Sequence, residues 1–88
     1  MVAYHIFYTK QAVKDIESLK QSGLSAKAKK LIEIVKADPF QTPPPYEKLS
    51  GDLKGLYSRR INIQHRFVYE VLEKEHTVKI IRMWKHYE

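Results

Sequence analysis

The chain has 88 residues, no cysteine, 43% hydrophobic and 11% aromatic side chains, and 16 Lys and Arg against 10 Asp and Glu, for a formal charge of +6. At this length it forms one domain, residues 1–88, burying only about 60–65% of its unfolded surface, and it is too apolar to stay disordered. Without cysteine there are no disulfide staples, thiolate nucleophiles or zinc–thiolate centres, and the positive excess, with a sequence pI near 9.6, favours a polyanionic partner.

The N-terminal run M-V-A-Y-H-I-F-Y lacks the basic flank and long apolar stretch of a signal peptide. No apolar run approaches the ~18 residues that would suggest a bilayer span, so a cytoplasmic protein with no membrane association is expected. Residues 4–8, Y-H-I-F-Y, are aromatic and β-branched and read as a first strand. Thr9 can cap a helix running to about Gln21, with Ala12, Ile16 and Leu19 on one face, Val13 beside them, and Gly23 as its left-handed stop.

Ser25 is expected to cap a second helix. Its Ala28, Leu31, Ile32 and Val35 follow helical spacing, while Lys27, Lys29, Lys30 and Lys36 lie mainly off that stripe and read as a solvated face. Asp38-Pro39 ends it, because proline disfavours helical geometry in the residue before it. The loop from Phe40 to Tyr46, with Pro43 to Pro45 in a row, is expected to be stiff and extended and to deliver Glu47 at a fixed place.

From Leu56 the apolar period becomes two. Leu56 to Ile63, Arg66 to Leu72 and Val78 to Trp84 read as three strands joined by short connections, an antiparallel meander. In the middle strand Phe67, Tyr69 and Val71 oppose Arg66, Val68 and Glu70. In the last, Val78, Ile80, Arg82, Trp84 and His86 share one parity. The expected fold is α+β, with two N-terminal helices packed on a twisted, mainly antiparallel sheet. If the helices cover one face, the other is left for function, and Arg66 and His86 can both sit on it.

The chemistry concentrates between Glu47 and Tyr69. A carboxylate held near arginines can abstract a proton from a hydroxyl, and Arg66 offers a permanent planar cation suited to phosphate oxygens. Arg59 and Arg60, being adjacent on a strand, face opposite sides, so only one can readily join the site. His65, at a strand start, reads as structural. His86, with an unperturbed pKa of ~6.5, can carry a proton near neutral pH, and Tyr87 can stack on a base or pack. The four histidines are scattered without ligand spacing, so neither a metal nor a cofactor is expected. There is no glycine-rich phosphate loop and no G-x-S-x-G elbow.

Leu49, Leu53 and Gly55, then Ser58-Arg59-Arg60-Ile61, then His65-Arg66-Phe67-Val68-Tyr69 and the near-terminal His86-Tyr87 closely resemble the YoeB/Txe family of bacterial toxin–antitoxin toxins, within the RelE-like superfamily. The likeness is dense from Glu47 to Tyr69 and at the C-terminus; before that it rests on element order and length. The resemblance implies a ribosome-dependent endonuclease that cleaves mRNA in the ribosomal A site and inhibits translation. Residue by residue, it makes Glu47 the general base on the ribose 2′-hydroxyl and Arg66 the stabiliser of charge on the phosphate. His86 becomes the acid protonating the 5′-oxygen, and Tyr87 the aromatic that orients substrate. Arg59 and Arg60 are left as candidate phosphate contacts.

The partners so implied are mRNA, the bacterial ribosome and an acidic, partly disordered antitoxin of the YefM/Axe kind, with room for a homodimer. The chain departs from its relatives in the lead-in Arg82-Met83-Trp84-Lys85, in the extra Glu88, and in Ser50, where some relatives are basic. Two rival readings are a ParE-like inhibitor of DNA gyrase and a catalytically inactive module that binds RNA or antitoxin.

Overall fold

Secondary structure follows the local signals closely in the first half of the chain. The computed structural model describes residues 3–62 and 65–83. In order they form β1 (His5–Tyr8), α1 (Lys10–Gln21), α2 (Ser25–Ala37), β2 (Glu47–Lys48), a 3-10 turn (Gly51–Leu53), β3 (Leu56–Arg60), β4 (Arg66–Leu72) and β5 (Thr77–Arg82). Thr9 caps α1 as expected: its hydroxyl accepts from the Ala12 N–H at 3.1 Å and donates to the Ile81 carbonyl at 3.0 Å, tying the helix start to β5. Gly23, at φ +73°, lets the chain reverse after α1.

Helix α2 begins differently from expectation. Its N-cap is Leu24, without a side-chain cap, and Ser25 is already helical. The Leu24 N–H bonds back to the Leu19 carbonyl at 2.9 Å, and its own carbonyl accepts from Ala28 at 3.1 Å. Its side chain packs against the core, so apolar burial in the tight α1–α2 corner decides the start over the hydroxyl. Asp38 then ends α2 in extended geometry. Val13, placed by spacing beside the apolar face of α1, is 56% exposed.

The sheet has five strands in the order β1-β5-β4-β3-β2. The expected meander is β3-β4-β5, but two edges extend it. β1 adds to β5 in parallel, with Ile6 opposite Val78, and β2 adds to β3 antiparallel, with Glu47 opposite Ser58. The sheet is therefore mixed and mainly antiparallel. β3 ends at Arg60 rather than Ile63, because the Ile61 and Asn62 N–H groups both turn to the His65 carbonyl, at 2.9 and 3.2 Å.

Both helices pack on one side of the sheet. Ala12 and Leu19 of α1 and Ala28, Leu31 and Val35 of α2 meet Phe67, Tyr69, Val78, Ile80 and Met83 in one buried cluster. Period two breaks once: Tyr69 pairs with Ile80, yet Val68 pairs with Arg82, so β5 carries a bulge. Met83 therefore joins Val78 and Ile80 in the core, although strict alternation puts it on the opposite side. Trp84, read as the end of this strand, lies outside the described residues, as do His86 and Tyr87.

Candidate active site

The site is built from beneath, by Arg59. Its neighbours along β3 alternate in the usual way, so Arg59 shares the helix side with Phe67, its register partner. There it is 1% exposed. Its Nε donates to the Tyr69 hydroxyl at 3.1 Å, Nη1 to the Pro44 carbonyl at 2.7 Å, and Nη2 to the Pro39 carbonyl at 3.0 Å. The Tyr69 hydroxyl in turn donates to the Pro39 carbonyl at 2.7 Å. The guanidinium also lies 5.2 Å from the centre of the Tyr46 ring, within cation–π range.

One buried cation thus holds the chain at Pro39, just before the proline loop, and at Pro44, three residues before Glu47. Proline cannot donate, but its carbonyls must still be satisfied when buried, and the arginine fork satisfies two of them. Sequence reasoning counted Arg59 as a candidate phosphate contact; the structure puts it in the interior, with all of these donors engaged. Burial also raises the Tyr69 phenol above its ordinary range, opposed by the adjacent Arg59 charge, so the hydroxyl stays protonated and able to donate.

Restrained in this way, the chain leaves the loop into β2 and pairs Glu47 with Ser58. Ser58 pairs with Val68 on the far side, so Glu47, Ser58 and Arg66 share the face opposite to Phe67 and Tyr69. Arg66 Nη1 lies 3.4 Å from Glu47 Oε1, with side chains 22% and 62% exposed respectively. The same Nη1 donates to the fully buried Ser58 hydroxyl at 3.3 Å. The carboxylate and the arginine expected to work together do meet.

Arg60 is the register partner of Arg66. Like charges directly opposite across strands are destabilising, and an anion between them relieves the repulsion. Of the adjacent arginines, Arg60 is the one that joins the site. A groove of about 850 Å³ runs here, lined by Glu47, Ser58, Arg60, Asn62, Arg66, Pro44, Pro45, Ile61 and, from α2, Lys27. Among the described residues it carries three cations and a single carboxylate, a lining complementary in charge to a phosphodiester.

His65 lies immediately before β4, at the strand start the sequence suggested, its N–H donating to the Asn62 side-chain oxygen at 2.7 Å. Ser58, Asn62 and Lys27 were missed as site residues. Ser58 had a signal in its place beside the arginine pair, whereas nothing local marks Lys27. Asp15 was missed as well. It is buried in α1, where its carboxylate accepts from Arg82 Nε at 2.8 Å and from the Met83 N–H at 3.0 Å. This fixes the end of β5 immediately before the segment that carries His86.

A family model described as the YoeB-like toxin of bacterial type II toxin–antitoxin systems matches residues 8–87. The chain belongs to this family. Toxin YoeB of Synechocystis is 38% identical over 58 residues, 66% of this chain and 65% of that relative, so the matched segment spans just under two thirds of the relative's length. Among solved structures, the YoeB/ParE toxin from Agrobacterium tumefaciens superposes with a TM-score of 0.86 at 32% identity, covering 94% of this chain and 99% of the other. YoeB from Staphylococcus aureus, solved as a complex with YefM, superposes at 0.80 with 31% identity over 96% of this chain and 98% of the other. A YoeB dimer from S. aureus has also been solved. The α+β architecture is that of YoeB toxins.

Proposed function

We propose that this YoeB-family toxin cleaves mRNA in the ribosomal A site, with Glu47 as general base, Arg66 as charge stabiliser and His86 as general acid. The observation that carries the reading is the Glu47–Arg66 pair, 3.4 Å apart at the mouth of a cationic groove. In the free protein the carboxylate occupies the anion position beside Arg66. An incoming phosphate takes that position and leaves Glu47 free to accept the 2′-hydroxyl proton. The 2′-oxygen then attacks the adjacent phosphorus, and Arg66 neutralises the charge building on the phosphoryl oxygens. The bond to the 5′-oxygen breaks as His86 protonates the leaving group, giving a 2′,3′-cyclic phosphate and a 5′-hydroxyl.

A base, a cation and an acid suffice for this reaction, so it runs without metal or cofactor. It requires RNA, because DNA lacks the attacking hydroxyl. Arg60 would hold a phosphate and Tyr87 would orient a base. Like the S. aureus toxin solved with YefM, this toxin binds an acidic antitoxin of the YefM kind, and homodimers can form. No helix among the described residues is long and apolar enough to cross a membrane.

Primer extension on a translated mRNA tests the reading, with wild type, Glu47→Gln and His86→Gln side by side. The wild type should cut within codons on the ribosome, and both variants should lose the cut. No cleavage by the wild type sinks the nuclease, while DNA breaks dependent on gyrase would favour the ParE-like alternative. Full cleavage by His86→Gln would overturn the acid assigned to it.

A further inference from the structure

The groove does not end at the catalytic pair. A second concavity of about 270 Å³ shares Lys27, Pro44, Arg60 and Ile61 with it, and continues along α2 past Lys30, Leu31 and Ile34. Four cations therefore line the two adjoining concavities, Arg66 in the first, Arg60 and Lys27 in both, and Lys30 in the second. Among the described residues, Glu47 is the only acidic one lining either part. Lys29, on the same helix, lines a separate apolar cleft between α1 and α2, and Lys36 lines neither part of the track. The lysines of α2, alike in sequence, thus divide between the track and surfaces away from it.

We infer that Lys27 and Lys30 form a backbone subsite that holds the phosphates of the RNA strand next to the one cleaved at Arg66. This rests on the nuclease reading and extends it. A strand that presents one phosphate to Arg66 must lead its neighbours away along some path, and this depression leads from that point with positive charge on its walls. Pro44, Ile61 and Ile34 give it an apolar floor against which a sugar or base can rest. Long lysine side chains act here as point charges following a flexible backbone, without the fixed fork that Arg66 offers at the reacting phosphate. An RNA strand fits this track better than an acidic peptide does, because the charge is continuous with the cleavage point.

The test compares two double variants of equal net charge, Lys27→Gln with Lys30→Gln, and Lys29→Gln with Lys36→Gln. The probe is a single-stranded decaribonucleotide with a 2′-deoxy sugar at the cut, titrated by fluorescence anisotropy across a salt series. Single strands lose about 0.7 in log–log salt slope per phosphate contact. The track variant should therefore lower the slope by about 1.4 and weaken binding roughly tenfold at low salt, while the control stays within about twofold of wild type. Equal losses in both variants would reduce the effect to net charge and overturn the subsite. So would unchanged RNA binding, or weakened capture of the acidic antitoxin alone. Ribosome-dependent cleavage by wild type, measured in parallel, decides the nuclease reading separately. If cleavage is absent yet the track variant alone loses RNA affinity, the subsite stands and the reaction falls.

Discussion

Arg59 and Tyr69 meet 3.1 Å apart on the buried side of the sheet, and both reach the Pro39 carbonyl. This junction holds the proline loop, and the loop places Glu47. A residue with no access to substrate thus governs the position of the carboxylate that reaches Arg66 on the opposite face.

Replacing Arg59 should therefore damage fold and site together. Arg59→Leu removes three hydrogen bonds and leaves the Pro44 carbonyl without its donor, for a loss of about 2–4 kcal/mol in urea denaturation. Arg59→Lys should recover only part of it, since an ammonium cannot span both proline carbonyls in the plane of a guanidinium. Stability of the lysine variant equal to wild type would refute this account of the loop.

Tyr69 makes a pH-dependent contribution. Its folded-state pKa is raised above the ordinary tyrosine value of 10.0, chiefly by burial. The stabilisation is therefore complete below pH 10 and is lost as pH climbs through the higher folded value. Tyr69→Phe should be about 1–2 kcal/mol less stable than wild type at pH 8. The gap between the two proteins should narrow at pH 11, and denaturant melts at both pH values read this difference. A gap that is constant with pH would contradict it.

Asp15 anchors the end of β5. Asp15→Asn weakens the hydrogen bonds its carboxylate accepts, two from Arg82, one from the Met83 N–H and one from the Gln11 amide, and should lower stability by about 1.5–3 kcal/mol. Amide exchange at Met83 should accelerate more than at Val78, which lies in the middle of the core. If the proposed acid at His86 is correct, cleavage should fall too, since the tail departs from this anchor.

Glu47 and Arg66 should separate activity from stability. The Glu47 side chain is 62% exposed, and exposed ion pairs contribute about 0–1 kcal/mol. Glu47→Gln should therefore melt within about 4–8 °C of wild type while losing about 10²–10⁴-fold in cleavage rate. Arg66→Gln should lose about 10²–10³-fold. A large drop in melting temperature for Glu47→Gln would make its role structural.

The order of elements was written locally. Thr9 as a cap, Gly23 as a stop, Asp38-Pro39 as a helix end and the change to period two after Leu56 are signals read within a few residues, and they act through backbone geometry that neighbours alone determine. The roles of Glu47 and Arg66 came from the family resemblance, and strand parity was silent on Glu47, so their approach to 3.4 Å is a product of the fold. Which of two adjacent arginines is buried could not be anticipated, because alternation fixes only that they differ. The packing of α1 and α2 decides which side is interior, and so assigns Arg59 to the loop and Arg60 to the groove. β2 was invisible because two residues carry no period of their own; the edge of β3 made them a strand. The bulge in β5 was hidden for a related reason, since it belongs to the pairing with β4 rather than to β5 itself. Lys27 and Asp15 acquire their places only through helix packing, across distances that sequence spacing does not encode. The sequence by itself determined the elements and the chemical inventory, whereas tertiary structure decided which face each charge occupies, because burial is a property of the packed layers.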